Sequence, residues 1–361
     1  MLDVNNELYQ EDLKHAASYI NIPNDKDDVS VLITGASGLI GSFLVDTFVY
    51  YNRNHNRKIK IYGMSRRNVK LNERFNYRTK DDNLELIAHD ICDPLDNSTN
   101  FTFIIHAASN ADPKSYSLYP VDTIKTNILG ITNVLEYAKK HKDTRVLFTS
   151  TMEVYGDIKG SVGHNENEYG LIDFNNIRSG YPEGKRISEL LCRSYSKQYG
   201  VNSVIARLGY IYGPTMTTDD SKVIAQFIRK AICNEDIILK SKGEQRRSYC
   251  YLSDTIAGLM CVLFKGKSGE AYNIANRNST VTIKDIAELI VKQTKKNIIF
   301  DMPDEVEKAG YSRLQDAVLD EAKLMKLGWK PQFDMVSGLQ RTISILGGYR
   351  DNVRTAKGKS M

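Results

Sequence analysis

Val31-Leu32-Ile33-Thr34-Gly35-Ala36-Ser37-Gly38-Leu39-Ile40-Gly41 decides the fold of this 361-residue chain. Val31 to Thr34 read as a buried strand, and Gly35, Gly38 and Gly41 as a tight turn. Leu39-Ile40-x-x-Phe43-Leu44-x-x-Thr47-Phe48 then reads as an amphipathic helix. Gly35 permits the turn, Gly38 lets backbone approach a pyrophosphate, and Gly41 lets the helix pack closely on the sheet. Helix N-terminal amides over Ser37, Leu39 and Ile40 then face the anion. A glycine-rich turn without a ligand is the bland counterpart, and the strand–turn–helix setting favours the cradle.

Outward from this unit, short apolar runs at 59–64, 84–88, 103–107, 146–150 and 203–208 read as further buried strands. Helical patterns such as 124–141 separate them. The alternation predicts an α/β fold, a Rossmann-type doubly wound parallel sheet with a smaller α/β C-terminal substrate lobe. The expected division is a dinucleotide-binding domain at 29–213, with 249–275 returning to it, and a substrate lobe at 214–248 and 276–349. Helices are expected near 222–232 and 283–294 in that lobe, and a polar tail from 350 to 361. Residues 1–28 read as an added helix over 5–20, with Leu8, Leu13, Ala16, Ala17 and Ile20 at helical spacing, then a polar linker.

Composition narrows the function. A net charge of +5 with 41% hydrophobic and 26% charged residues is ordinary for a soluble protein. The charges are dispersed, with no basic stripe interleaved with aromatics, so no nucleic-acid partner is expected. The five cysteines are isolated and form no C-x-x-C pair, which predicts neither a disulfide framework nor a metal site. No apolar run reaches membrane-spanning length and no signal-peptide core is visible, so a cytoplasmic protein is expected.

The end of the second strand selects the dinucleotide. An acid there pairs with the ribose of NAD, whereas an arginine suits a 2′-phosphate. The chain reads Gly63-Met64-Ser65-Arg66-Arg67, so Ser65 and Arg66 favour NADP, with NAD left open and a solvated loop as the alternative. Asp90-Ile91 after the third strand suits an adenine-edge contact or, equally, a turn before Pro94. Downstream, Tyr181-Pro182-Glu183-Gly184-Lys185 puts Tyr181 and Lys185 on one helix face. Lys185 is expected to lower the phenol pKa so that Tyr181 acts as a general base, with Thr151 bonding the same substrate hydroxyl. Y-x-x-x-K is weak by itself, since 21 tyrosines make chance matches common, and gains force from the glycine motif upstream.

With these pieces the chain resembles the extended short-chain dehydrogenases/reductases that act on nucleotide sugars as epimerases, dehydratases and decarboxylases. The segments carrying the resemblance are the Gly35 motif, His106-Ala107-Ala108-Ser109, Thr126-Asn127-x-x-Gly130, Thr149-Ser150-Thr151-Met152-Glu153-Val154-Tyr155-Gly156, Tyr181-x-x-x-Lys185, Tyr212-Gly213-Pro214 and Arg247-x-Tyr249. Two segments, His106-x-Ala108-Ser109-x-Ala111-x-Pro113-x-x-Tyr116-x-x-x-Pro120 and Arg178-Ser179-x-Tyr181-x-Glu183-Gly184-Lys185-Arg186, are most similar to UDP-glucuronate decarboxylases. The resemblance implies an NAD(P) cofactor, a nucleoside-diphosphate sugar substrate, and a 4-keto intermediate formed with Tyr181 as base. It implies that Lys185 tunes Tyr181 and anchors ribose, and that Glu153 assists the later step. Ala107, Ala108, Ser109, Thr126 and Thr149 become expected cofactor contacts; Tyr210, Arg247, Tyr249 and Arg313 become expected substrate contacts, Arg247 for the pyrophosphate and Arg313 for phosphate or carboxylate. It also implies a homodimer built on helices at 124–141 and 181–199. Three positions depart from the pattern: Met152 replaces an Asp or Ser, Tyr210-Ile211 stands where a substrate-binding Asn is usual, and Ser65-Arg66 replace an acid. A nucleotide-sugar reductase or epimerase, and a non-catalytic NAD(P) sensor, are the alternatives.

Overall fold

The apolar runs enter one parallel sheet. The computed structural model describes residues 2–23, 28–111, 113–158, 163–294, 296–302 and 316–358. Its strands are β1 (Val29–Thr34), β2 (Ile59–Ser65), β3 (Leu84–Ala88), β4 (Phe103–His106), β5 (Arg145–Thr151), β6 (Asn202–Leu208), β7 (Tyr210–Tyr212), β8 (Ile237–Leu239), β9 (Arg246–Tyr251), β10 (Ala271–Ile274), β11 (Thr280–Thr282), β12 (Ile298–Phe300) and β13 (Asp316–Ala317). Seven of them form the central sheet in the order β10-β6-β5-β4-β1-β2-β3, every neighbour parallel. That order reverses direction between β1 and β4, and open α/β sheets place their ligands at the carboxyl ends of strands at such a switch.

The helices are α1 (Glu7–Ala17), α2 (Leu39–Asn54), α3 (Asn68–Arg74), α4 (Pro113–Leu118), α5 (Pro120–Lys140), α6 (Gly180–Tyr199), α7 (Val223–Ile232), α8 (Leu252–Lys265), α9 (Ile283–Thr294), α10 (Ala322–Met325) and α11 (Met335–Gly358). Both faces of the sheet are covered at its centre, which explains why β1 and β4 are buried along their whole length while edge strand β3 carries exposed Glu85. Val31 and Ile33 pack into one core with Phe43 and Phe48 of α2 and Ile256, Leu259 and Val262 of α8. The intervening Leu32 points to the other face, joining Ile104, Val146, Phe148 and Ile205 against Ile131, Val134 and Leu135 of α5 and Cys192 of α6. Each such buried side chain contributes about 1.5–3 kcal/mol against exposure.

A smaller sheet is built around β9, which pairs with β7 and β13 in parallel and with β11 antiparallel; β8 and β12 form a separate parallel pair. Tyr212, Tyr249 and Tyr251 share a core with Phe227 of α7 and Ile286 of α9. From β9 the chain continues through α8 into β10, so it crosses back to the edge of the central sheet. The N-terminal helix spans Glu7–Ala17, shorter than the 5–20 expected, because Asn6 caps it by accepting from the Tyr9 amide at 3.2 Å. It is no loose appendage, since Tyr9, Leu13, Ala16 and Ala17 are buried against α2 and α8. At the other end, in the stretch expected as a polar tail, α11 carries helical backbone to Gly358. No proline interrupts that stretch.

Candidate active site

Gly35 leaves β1 with φ +71°, a backbone conformation that favours glycine. A Cβ there would lie 2.8 Å from the Ala107 carbonyl oxygen, and one on Gly41 would lie 2.2 Å from the Gly35 oxygen. The turn is therefore closed from two sides by backbone. Gly38 caps α2 with no side-chain hydrogen bond, and the first turn of α2 holds no acid. The helix end thus keeps its amides and positive dipole pointed into an open cradle, which fits a pyrophosphate. Around it, Ser37 Oγ meets Ser65 Oγ at 2.9 Å, and Thr34 Oγ1 accepts from the Ala108 amide at 3.2 Å. Arg66 is exposed, its guanidinium 3.5 Å from the Asn110 side-chain oxygen. Asp90 accepts from the Cys92 amide at 2.9 Å, as a turn acid does, while Ile91 is buried. Ser109 Oγ donates to the Asn127 side-chain oxygen at 2.9 Å, and Thr126 sits 4.0 Å from Cys92 Sγ.

The proton-handling residues gather at the carboxyl end of β5. Thr151 ends that strand and accepts from the Glu153 amide at 3.3 Å. Tyr181 and Lys185, one turn apart in α6, are 6% and 2% exposed. The Lys185 ammonium donates to the Thr149 carbonyl at 2.8 Å and lies 4.7 Å from the Phe148 ring. Burial pulls it down to about 7, against the opposing pull of Glu189. Against the expected lowering by Lys185, the Tyr181 phenol stands above its ordinary value. Burial, then the nearby Glu153 charge, push the phenol up, and the groups opposing them are Thr151, Tyr116 and Arg178. Lys185 faces the strand carbonyl instead.

Two neighbours escaped the sequence reading. Tyr116 of α4 stacks on Tyr181 with ring centroids 4.4 Å apart and planes at 18°. Arg178, in the turn before α6, grips Glu153 with both nitrogens at 3.0 and 3.2 Å and lies 5.7 Å from the Tyr116 ring centroid. Both residues stand in the segments that carry the resemblance, and the three-residue step from Arg178 to Tyr181 was the available signal. Met152, by contrast, is buried with Ala275, Ala317 and Leu319 in an apolar cluster.

Across from these groups, Arg247 is 4% exposed and sits 5.3 Å from the Tyr210 ring, which in turn lies 5.6 Å from Tyr249. Its neighbour Arg246 points outward and pairs with Asp316 at 2.6 Å, so the two adjacent arginines have different tasks. Arg313 lies outside the described residues. Among the described residues no cluster of His, Cys, Asp or Glu could hold a metal, and no helix is long and apolar enough to cross a membrane. All five cysteines are free thiols.

Sheet order, glycine cradle and a Tyr–Lys pair at the end of β5 define a dinucleotide-dependent enzyme of the extended short-chain dehydrogenase/reductase class. The chain belongs to the NAD dependent epimerase/dehydratase family, whose profile matches residues 31–275. It is 35% identical to UDP-glucuronic acid decarboxylase 6 of Arabidopsis thaliana over 320 residues, 87% of this chain and 88% of that one. It is 32% identical to UDP-glucuronic acid decarboxylase 1 of Xenopus tropicalis, across 89% of this chain and 72% of that one. Among solved structures, UDP-glucuronic acid 4-epimerase from Bacillus cereus, in complex with UDP-glucuronic acid and NAD, superposes with a TM-score of 0.74 at 22% identity, covering 89% of this chain and 100% of that one. The protein is an NAD(P)-dependent nucleotide-sugar enzyme of the epimerase, dehydratase and decarboxylase type.

Proposed function

We propose that the protein decarboxylates UDP-glucuronate through a 4-keto intermediate. The observation that carries this reading is the Glu153–Arg178 pair beside Thr151 and Tyr181, a carboxylate and a guanidinium where a simple oxidation at C4 needs neither. Likeness to decarboxylases over 87% of the chain supports it.

Gly35, Ser37, Gly38, Leu39, Ile40 and Gly41 would hold the dinucleotide pyrophosphate; Ser65 and Arg66 the adenosine ribose; Asp90 and Ile91 the adenine edge. Ala107, Ala108, Ser109, Thr126 and Thr149 line the remaining path, and Lys185 reaches the second ribose. Bound there, the nicotinamide supplies a hydride acceptor for the sugar and, at the end, a hydride donor. Thr151 orients the C4 hydroxyl and Tyr181 takes its proton. In the β-keto acid so formed, the C5–C6 bond breaks and carbon dioxide leaves. The electron pair moves to the C4 oxygen, which hydrogen bonds from Tyr181 and Thr151 stabilise. Arg178 is placed to exchange Glu153 for the sugar carboxylate, and Glu153 to return a proton at C5. Arg247 takes the UDP pyrophosphate, a task suited to a guanidinium fork, with Tyr210 and Tyr249 beside it. Arg313 belongs to the same reading as a second phosphate or carboxylate ligand. Met152, with no exchangeable proton, opposes dehydration.

A mass-spectrometric screen of nucleotide sugars tests this. UDP-glucuronate is expected to lose the mass of carbon dioxide without net consumption of dinucleotide. A gain of two hydrogens only when NADPH is supplied would make the protein a reductase, and an isomeric product of unchanged mass an epimerase. If no sugar turns over and Tyr181→Phe changes nothing, the chain is a dinucleotide sensor. Arg66, exposed beside Ser65, supports NADP acceptance, read as the ratio of NAD to NADP dissociation constants. A homodimer through α5 and α6 is supported by Val121, Leu129, Ile187 and Leu190, large apolar side chains left exposed on those helices, and is checked by sedimentation.

A further inference from the structure

Helices α1 and α11 both lie outside residues 31–275, the part matched by the family, yet they join the two lobes. Tyr9 and Asp12 of α1 are each fully buried and point in different directions. The Tyr9 hydroxyl donates to Asp46 of α2, which also accepts from Arg74 of α3 and from Tyr77. Asp12 turns to the other lobe. One carboxylate oxygen accepts from the Tyr251 hydroxyl at the end of β9, the other from Arg341 Nε of α11 at 2.8 Å. Ser253 Oγ donates to the Asp12 carbonyl at 2.7 Å, and Arg341 also reaches Glu11 at 3.0 Å. One turn on, His15 meets Asp254 at 3.0 Å, whose carboxylate accepts the Gln332 and Phe333 amides at 2.9 Å.

From Tyr251 a ladder of rings runs back to the candidate substrate site. Tyr251 and Tyr212 are 5.7 Å apart, Tyr212 and Tyr249 6.2 Å, Tyr249 and Tyr210 5.6 Å, and Arg247 lies 5.3 Å from Tyr210. Arg247, Tyr249 and Tyr251 alternate along β9, so they share one face of the strand. A carboxylate is a costly means of joining two helices, since a buried ion pair is often no more stable than apolar packing. Burial accordingly pushes Asp12 up to about 6, against Tyr251 and Arg341. What a carboxylate offers over a leucine is direction, because it fixes where the Tyr251 hydroxyl sits.

We propose that Asp12 is a positioning residue for nucleotide-diphosphate binding: through Tyr251 and the tyrosine ladder it sets β9 so that Arg247 faces the substrate pyrophosphate. The proposal rests on the role given to Arg247 above. It is tested on the full-length protein by calorimetry, with UDP alone as one probe and NAD as the other, and with thermal melts confirming that each variant is folded. Asp12→Asn and Tyr251→Phe are expected to raise the UDP dissociation constant roughly tenfold and leave that of NAD unchanged. Tyr9→Phe, on the same helix but facing Asp46, is expected to lower the melting temperature and leave UDP binding at the wild-type value. Wild-type UDP affinity in Asp12→Asn and Tyr251→Phe overturns the proposal. So does equal weakening of UDP and NAD, or a Tyr9→Phe effect matching that of Asp12→Asn, either of which makes α1 a plain stabilising strut. Wild-type UDP affinity in Arg247→Met would instead remove the role of Arg247, and the proposal with it.

Discussion

Dinucleotide affinity measured against pH reads out Lys185. Its ammonium is 2% exposed, has the Thr149 carbonyl as acceptor at 2.8 Å and the Phe148 ring at 4.7 Å, and is pulled by burial from 10.5 to about 7. A bound dinucleotide brings ribose hydroxyls as acceptors and a pyrophosphate as counter-charge, both favouring the charged form, so the pKa in the complex moves back up. The complex then holds a proton that the free protein has lost above about pH 7, and binding takes one up. With the two pKa values well separated, affinity is flat below about pH 6.5 and falls about tenfold, ~1.4 kcal/mol, for each unit above pH 7. At about pH 8 some 0.9 proton is absorbed per dinucleotide bound. Isothermal titration calorimetry in buffers of different ionisation enthalpy measures both quantities. A flat profile up to about pH 9, or the same slope in Lys185→Met, would refute the reasoning.

Tyr181→Phe keeps the ring that stacks on Tyr116 and removes the proton acceptor; turnover should fall ~10²–10⁴-fold with little change in dinucleotide affinity, checked by single-turnover kinetics and calorimetry. Gly41→Ala puts a Cβ 2.2 Å from the Gly35 oxygen, where only backbone can give way, so denaturant melts should show a loss of about 3 kcal/mol or more together with weakened dinucleotide binding. His106, buried and paired with Thr34 at 2.8 Å, is pulled by burial from 6.5 to about 3 and stays neutral in the fold. The unfolded chain therefore binds the extra proton between those values, so this stability is present above about pH 6.5 and lost as pH falls, by ~2.5 kcal/mol at about pH 4.5. Urea midpoints of the wild type should show that fall, and those of His106→Asn should lack it.

The strand–turn–helix unit was legible because a single local segment carries every requirement, from the apolar run of β1 to the glycine that lets α2 settle over it. The Tyr181–Lys185 face was legible for the same reason, being a matter of helical spacing. Partners across the chain were not. Nothing near Glu153 announces that Arg178 holds it, and nothing near Tyr181 announces a second ring from α4. The Tyr181 pKa was not legible because burial, which spacing does not report, is the largest influence on the phenol. Hidden deepest was α1, whose Asp12 meets Arg341 across 329 residues of sequence. The apolar spacing of α1 announced a buried face, and nothing in it announced that Asp12 is buried too.

That last contact has a consequence for how the molecule is made. Helix α1 is synthesised well before its partners on α8 and α11. Strand β10, which completes the central sheet beside β6, is also delayed until the smaller sheet's β7 to β9 have been synthesised. A nascent chain ending near residue 213 therefore exposes the apolar face that α8 will cover, and cannot finish its first lobe alone. The two lobes are bound to mature together, and a stop codon anywhere before Arg341 leaves the first helix without its anchor.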